Sequence, residues 1–184
     1  TQDDAHIFMT KEQMETEIQN VVKLFDEVYN VFGLKYTIEL STMPEDHIGT
    51  VEEWEFNQDI LKKAITSMGK DFVINEGDGA FYGPKLDFHI EDCLGRTWQC
   101  GTIQLDSQLP ERFHLEYVGE DGLKHRPVMI HRVVFGSIER FIGVITEHFA
   151  GAFPLWLTPV QVKVLPVTER AHDYATQIAA KLDA

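Results

Sequence analysis

Arg126-Pro127-Val128-Met129-Ile130-His131-Arg132-Val133-Val134-Phe135-Gly136-Ser137-Ile138-Glu139-Arg140-Phe141 is the stretch from which the fold can be read. Its first half is apolar and β-branched, which predicts a buried strand. Gly136-Ser137 breaks the run. Ser137 can cap a helix whose apolar positions Ile138, Phe141, Ile142, Ile145 and Phe149 follow a 3.6-residue period. Two polar side chains intrude: His131 interrupts the strand and Arg140 sits in the first helical turn. A guanidinium there opposes the helix dipole, a choice that suits a bound anion such as a triphosphate shared with the helix end. The alternative is an Arg140–Glu pair on a solvated face and a satisfied core histidine.

Around this element lie 184 residues, 43% of them hydrophobic, with twelve Phe. That suffices for one domain, or one domain and a piece of another. Two cysteines, Cys93 and Cys100, make no disulfide framework and point to a reducing compartment. No apolar run approaches the roughly 18 residues of a membrane span. A net charge of -14 argues against general nucleic-acid binding, which needs clustered Lys and Arg. The chain opens without Met and with Ala5-His6-Ile7-Phe8 already strand-like, which points to a piece of something longer.

Upstream of the opening stretch, Thr10 with Gln13 forms a capping-box pattern. Met14, Ile18, Val21, Val22, Phe25, Val28, Tyr29 and Phe32 then mark one helical face, stopped at Gly33. Tyr36, Ile38 and Leu40 alternate with polar residues as a half-buried strand. Thr50 with Glu53 starts a second helix that ends at Gly69. Phe72 and Ile74 suggest a short strand. Leu86, Phe88 and Ile90 alternate with Asp87, His89 and Glu91, and a turn at Leu94-Gly95 returns the chain through Thr97 to Leu105 as a hairpin. Strands linked by hairpins, with helices between groups, predict an α+β domain: an antiparallel sheet flanked by helices over residues 1–157. After Pro159, the run Val160 to Val167 reads as a strand and Thr168 caps a helix. Residues 158–184 therefore look like the βα start of an α/β domain.

Three polar clusters stand against this frame. Gln2, Asp4 and His6 share one face if residues 2–8 are extended, a set suited to a small polar ligand or a metal; a solvated terminus is the other reading. Gly79-Ala80-Phe81-Tyr82-Gly83-Pro84-Lys85 is a fixed bend that could hold Tyr82 and Lys85 over a pocket, or an ordinary approach to a hairpin. In Trp98-Gln99-Cys100-Gly101-Thr102-Ile103-Gln104, strict alternation puts Gln99 and Gln104 on opposite faces, and a bulge at Gly101 would bring both to one side. A zinc site from Cys93, Cys100 and His89 is possible on one hairpin, but its spacing matches no ribbon or finger.

These clusters, with Thr1-Gln2-Asp3-Asp4-Ala5-His6-Ile7-Phe8 and Met129-Ile130-His131-Arg132, resemble the bacterial-type threonyl-tRNA synthetase family in content, order and separation. The resemblance runs through essentially the whole chain. It implies the class II synthetase catalytic fold, incomplete here, with the opening stretch as motif 3 and residues after Pro159 beginning an anticodon-binding domain. It implies that His6 and His131 ligate zinc with a cysteine upstream of this chain, that Gln2, Asp4, Tyr82, Gln104 and Ser137 bind substrate, and that Lys85, Gln99 and Arg140 serve catalysis, Arg140 holding ATP phosphates with magnesium. It further implies threonine, ATP and tRNA(Thr) as substrates, a homodimeric and cytoplasmic parent, and an inactive isolated piece, because motif 1 and the motif 2 arginine lie upstream. Two other readings are a synthetase-like paralogue that binds threonine or an adenylate without ligating, and an acidic zinc-binding domain with hydrolytic activity. No activated serine or cysteine beside a paired base supports the last.

Overall fold

Two segments far apart in sequence open the sheet. Strand β1 (Ala5–Met9) runs antiparallel to β8 (Val128–Val133), setting Ile7 opposite Ile130 and His6 opposite His131. This is a computed structural model that describes residues 1–183. Four more strands complete the sheet: β2 (Tyr36–Ser41), β3 (Val73–Asn75), β4 (Lys85–Glu91) and β5 (Thr97–Asp106), in the order β1-β8-β5-β4-β2-β3. Neighbours are antiparallel except β2 and β3 at one edge. There the chain crosses through helix α2 (Val51–Ser67), which brings it back to enter β3 in the direction of β2. A separate two-stranded ribbon joins β6 (Tyr117–Val118) to β7 (Lys124–His125), after the short helix α3 (Gln108–Arg112).

The helices form where their caps and stripes place them. The Gln13 side chain accepts from the Thr10 backbone N–H at 2.9 Å, and one 3-10 turn leads into α1 (Met14–Phe32). Its buried residues Met14, Ile18, Val21, Val22, Phe25 and Tyr29 form one stripe. Thr50 and Glu53 exchange hydrogen bonds at 3.2 Å each and start α2. Both helices cover one face of the sheet. Phe25 meets Phe88 edge-on at 4.4 Å between ring centres, and Ile38, Leu40, Leu86, Ile90, Ile103, Leu105 and Ile130 are buried in the same layer. Each such side chain contributes about 1.5–3 kcal/mol of burial. The Tyr29 hydroxyl donates to the Val134 carbonyl at 2.6 Å, tying α1 to the turn after β8. Helix α4 (Ile138–His148) follows, with Phe141 packed edge-on to Phe32 at 5.2 Å.

The bulge anticipated in β5 is present. Phe88 faces Gly101 and His89 faces Gln99, so Cys100 is one residue too many for β4. Glycine is required beside it: a Cβ on Gly101 would lie 2.6 Å from the Tyr29 hydroxyl and 2.7 Å from the Phe25 ring.

The chain divides into two compact units, residues 1–148 and a second from Phe149 on. In the second, helix α5 (His172–Leu182) follows a 3-10 turn begun by Thr168. Val160 to Val167 does not form the expected strand. Among the described residues nothing pairs with it, and without a ladder partner an extended run has no β hydrogen bonds to make. It lies instead along α5, where Val160, Val162 and Val164 share a cavity with Thr176 and Ala179.

Gly101→Ala is expected to destabilise the fold by about 1–3 kcal/mol through overpacking of the Phe25–Tyr29–Phe88 contact. Urea unfolding of the two proteins side by side measures this.

Candidate active site

The uncovered face of the sheet is polar, and its pairing registers lay side chains out in rows. Ser41 is opposite Lys85, Lys85 opposite Gln104, Gln104 opposite His131, and His131 opposite His6. In the next row Glu39, Asp87, Thr102 and Val133 are partners. The bulge turns Gln99 onto this same face. A cleft of about 450 Å³ lies here. Gln2, Asp4, Tyr82, Gln99, Gln104, His131, Ser137 and Arg140 all line it, together with Cys100.

The first residues are anchored rather than frayed. Asp3 accepts from the backbone N–H groups of Val134 and Phe135 at 2.9 and 3.0 Å. Gln2 forms a backbone bridge with Ser137. Gln2, Asp4 and His6 then project on one exposed side, as their period of two requires. His6 does not line the cleft itself. Its ring packs edge-on against that of His131 at 4.7 Å, and its Nε2 lies 3.7 Å from the Asp4 carboxylate. Ligand atoms of Asp4, His6 and His131 all lie within 4.8 Å of one another, which among the described residues is the one such group of three. The hairpin alternative does not assemble: Cys93 is exposed beside the Glu147 carbonyl, His89 lies against Glu39, and Cys100 is buried in the cleft wall.

His131 is oriented by a residue the sequence reading did not single out. Asp106, fully buried, accepts from the backbone N–H groups of Gln108 and Leu109 with one oxygen and meets His131 Nε2 at 2.9 Å with the other. A carboxylate accepts at Nε2, so the neutral imidazole that suits this contact is the tautomer with its proton on Nε2 and its lone pair on Nδ1, the one a metal ligand needs.

The bend after Gly79 is held by close approach. A Cβ on Gly83 would stand 1.9 Å from the Leu105 carbonyl oxygen. This sets Tyr82 beside His131, ring centres 5.7 Å apart, with its hydroxyl on Gln104 Oε1. Burial first, then the charges of Asp106 and Asp4, push the Tyr82 phenol up to about 12, so it stays a hydrogen-bond donor near neutrality. Burial likewise pushes the Cys100 thiol up to about 11, which leaves it a poor nucleophile.

Lys85 lies in the first row but outside the cleft lining. Its ammonium is 2.9 Å from Asp87 and 3.2 Å from Asp78. Burial alone would lower its pKa, but hydrogen bonds and charge from Asp87, then Asp78, raise it overall, so it remains charged. Arg140 is exposed, donates through Nη2 to the Gln99 backbone carbonyl, and among the described residues makes no ion pair. Its backbone N–H reaches the Ser137 hydroxyl at 3.4 Å, the capping contact expected of that serine. A cation with no ion pair among the described residues at the start of α4, in a cleft with three amides, a phenol and an imidazole, can receive an anion joined to a small polar group.

Comparison with known proteins bears on that arrangement. Residues 1–149 match the family described as tRNA synthetase class II core domain (G, H, P, S and T). The chain is 66% identical over 182 residues to a threonine–tRNA ligase of Clostridium tetani, covering 99% of this chain and 28% of that protein. It is 64% identical over 183 residues to a threonine–tRNA ligase of Acetivibrio thermocellus, covering 29% of it. This chain thus spans less than a third of the length of these curated relatives. Among solved structures, the RNA binding domain of threonyl-tRNA synthetase from Cryptosporidium parvum Iowa II superposes with a TM-score of 0.95 at 46% identity, covering 98% of this chain and 46% of that one. The six-stranded sheet, the polar cleft on its open face and the sequence match agree: the chain belongs to the class II tRNA synthetase core-domain family of the G, H, P, S and T group.

Proposed function

We propose that this chain is part of the catalytic core of a threonine–tRNA ligase. The parent protein would join threonine to ATP, giving threonyl-adenylate and pyrophosphate, and pass the threonyl group to the 3′ end of tRNA(Thr). One observation carries the reading: two imidazoles 125 positions apart in sequence, His6 and His131, meet ring to ring beside Asp4, at the edge of a cleft that Asp4, His131 and Arg140 line.

The first reaction brings a carboxylate against a polyphosphate, so negative charge must be offset where the new bond forms. Arg140, which has no carboxylate partner among the described residues, is suited to hold the phosphates of ATP, whose magnesium would share the task. Lys85 keeps its charge through Asp87 and is suited to neutralise the adenylate once a ligand draws it inward. Gln99 orients the same region through its own backbone contact with Arg140. On the amino-acid side, Gln2, Asp4, Tyr82 and Gln104 offer acceptors and donors for an amine and a carboxylate, and Ser137 closes the wall at the start of α4.

The donor set fits zinc. His6 and His131 offer imidazole nitrogens, which suit zinc, Asp106 on Nε2 favours the His131 tautomer whose Nδ1 can ligate, and Asp4 adds a carboxylate within reach. Family resemblance assigns the third protein ligand to a cysteine outside this chain. Bound there with open coordination positions, zinc would accept the amine and hydroxyl of threonine, a demand valine cannot meet. Serine meets it, so a separate editing activity is needed elsewhere in the parent. The charge of -14 disfavours strong tRNA binding by this chain alone. Among the described residues no helix is long and apolar enough to cross a membrane; the family resemblance, not that absence, is what supports a cytoplasmic homodimer as the parent.

The full-length parent is expected to catalyse ATP–pyrophosphate exchange that depends on threonine; exchange indifferent to threonine would overturn the reading. In the same assay valine should be rejected by about 10⁴-fold, because a polar site left unpaired is costly. Arg140→Ala should lower kcat by about 10²–10³-fold. His131→Ala should lower zinc content by elemental analysis together with threonine activation, and chelation of the wild-type protein should reproduce the loss.

A further inference from the structure

Asp87 is almost wholly buried, at 1% exposure, in a strand whose alternation assigns it to the open face. Four donors converge on its two oxygens. Oδ2 takes Lys85 Nζ at 2.9 Å and the Ser41 hydroxyl at 2.9 Å; Oδ1 takes Gln99 Nε2 at 2.6 Å and the Thr102 hydroxyl at 2.6 Å. Together they use the lone-pair sites a carboxylate has. Nothing in this arrangement leaves Asp87 open to a ligand. Two of its four partners, however, are side chains proposed above to act on substrate, and they come from different strands.

We infer that Asp87 is the positioning residue of the site: a buried carboxylate that pins the Gln99 amide and the Lys85 ammonium in fixed relation to each other and so sets the geometry of the charge-neutralising side of the cleft. The inference rests on the threonine-ligase reading for its functional half only. Because a carboxylate donates nothing, Gln99 must turn its Nε2 toward Asp87, which leaves Oε1 as the acceptor available to a bound molecule. The bulge at Cys100 makes this possible, since without the extra residue Gln99 would face the core. Lys85 is held on the same carboxylate, so its charge is offset at rest and becomes available when a more negative group enters. A neutral amide at position 87 would either set an N–H against Lys85 Nζ and release it, or set an N–H against Gln99, whose amide must then turn over, accept with Oε1 and show the cleft its Nε2 instead. No other residue of the sheet touches both side chains among the described contacts.

The test compares Asp87→Asn with Ser41→Ala in the full-length parent. Ser41 donates to the same carboxylate but touches neither Gln99 nor the cleft, so its loss measures the structural part alone. Asp87→Asn is expected to lower kcat for threonine-dependent exchange by about 100-fold with a much smaller change in the threonine KM, whereas Ser41→Ala lowers the unfolding midpoint and leaves kcat near wild type. On a Gln99→Ala, Lys85→Ala background Asp87→Asn should cost little more, because the groups through which it acts are gone. Crystal structures of Asp87→Asn and wild type read the positioning directly: in the variant Lys85 should leave its place, or the hydrogen-bond network around Gln99 should show its amide turned over. A variant in which Lys85 stays and the Gln99 amide keeps its orientation, or in which kcat matches that of Ser41→Ala, overturns the inference. A wild-type parent without threonine-dependent exchange would defeat the ligase reading instead, while the crystallographic comparison would still decide what Asp87 holds.

Discussion

The antiparallel register between β1 and β8 is the constraint on which the site depends. His6 and His131 are neighbours because those strands pair with these residues opposite. Side chains alternate along a strand, so a slip of one residue would carry the polar members of β1 to the face that α1 and α2 cover. Hydrogen bonds outside the ladder hold the register as well. Asp3 grips the backbone just past β8, and Gln2 bridges to Ser137. The same few contacts that end the sheet therefore also bring the start of α4, with Arg140, to the cleft.

Much of the frame could be read from the chain, because it follows from short-range patterns. The stripe from Met14 to Tyr29, the reciprocal caps at Thr10 and Thr50, and the turn at Leu94-Gly95 are local chemistry, and the structure forms each of them. The bulge was legible for a different reason. Two polar amides at odd separation in one strand, with a glycine between them, cannot both avoid the core unless the strand gains a residue. Burial on the polar face was not legible. Period two tells which side Asp87 and Asp106 occupy, but not that neighbouring strands and loops close over them. The tethering of Lys85 was hidden for the same reason, since it depends on Asp78 and Asp87 meeting across a turn. Val160 to Val167 shows the converse limit: the residues favour a strand, but strand formation requires a second chain segment, and propensity does not supply one.

Carboxylates, in excess in the composition, divide into two populations here. Most lie on the surface and account for the charge of -14. A few are buried and saturated: Asp87 by four donors, Asp106 by two backbone N–H groups and His131, and Asp92 by Arg96, Trp98 and two backbone N–H groups at the β4–β5 turn. An unpaired buried charge would cost several kcal/mol, and these are paired so completely that they fix geometry instead. A strongly acidic chain can thus build a cleft suited to an anion at the Arg140 end, because the buried acids behind it are already occupied and the one that lines it, Asp4, sits with the two imidazoles.

The extra residue in β5 has a consequence for how this hairpin can change over time. Everything on the N-terminal side of Cys100 in that strand is out of phase with everything beyond it, and the two halves are reconciled at one point only. A single-residue insertion or deletion elsewhere in the strand would undo that reconciliation and exchange greasy for polar along several positions at once. Length variation in β4 and β5 is therefore expected only in even steps or in the connecting turn, and a parity rule of this kind would keep the two glutamines on one face even where the side chains around them drift.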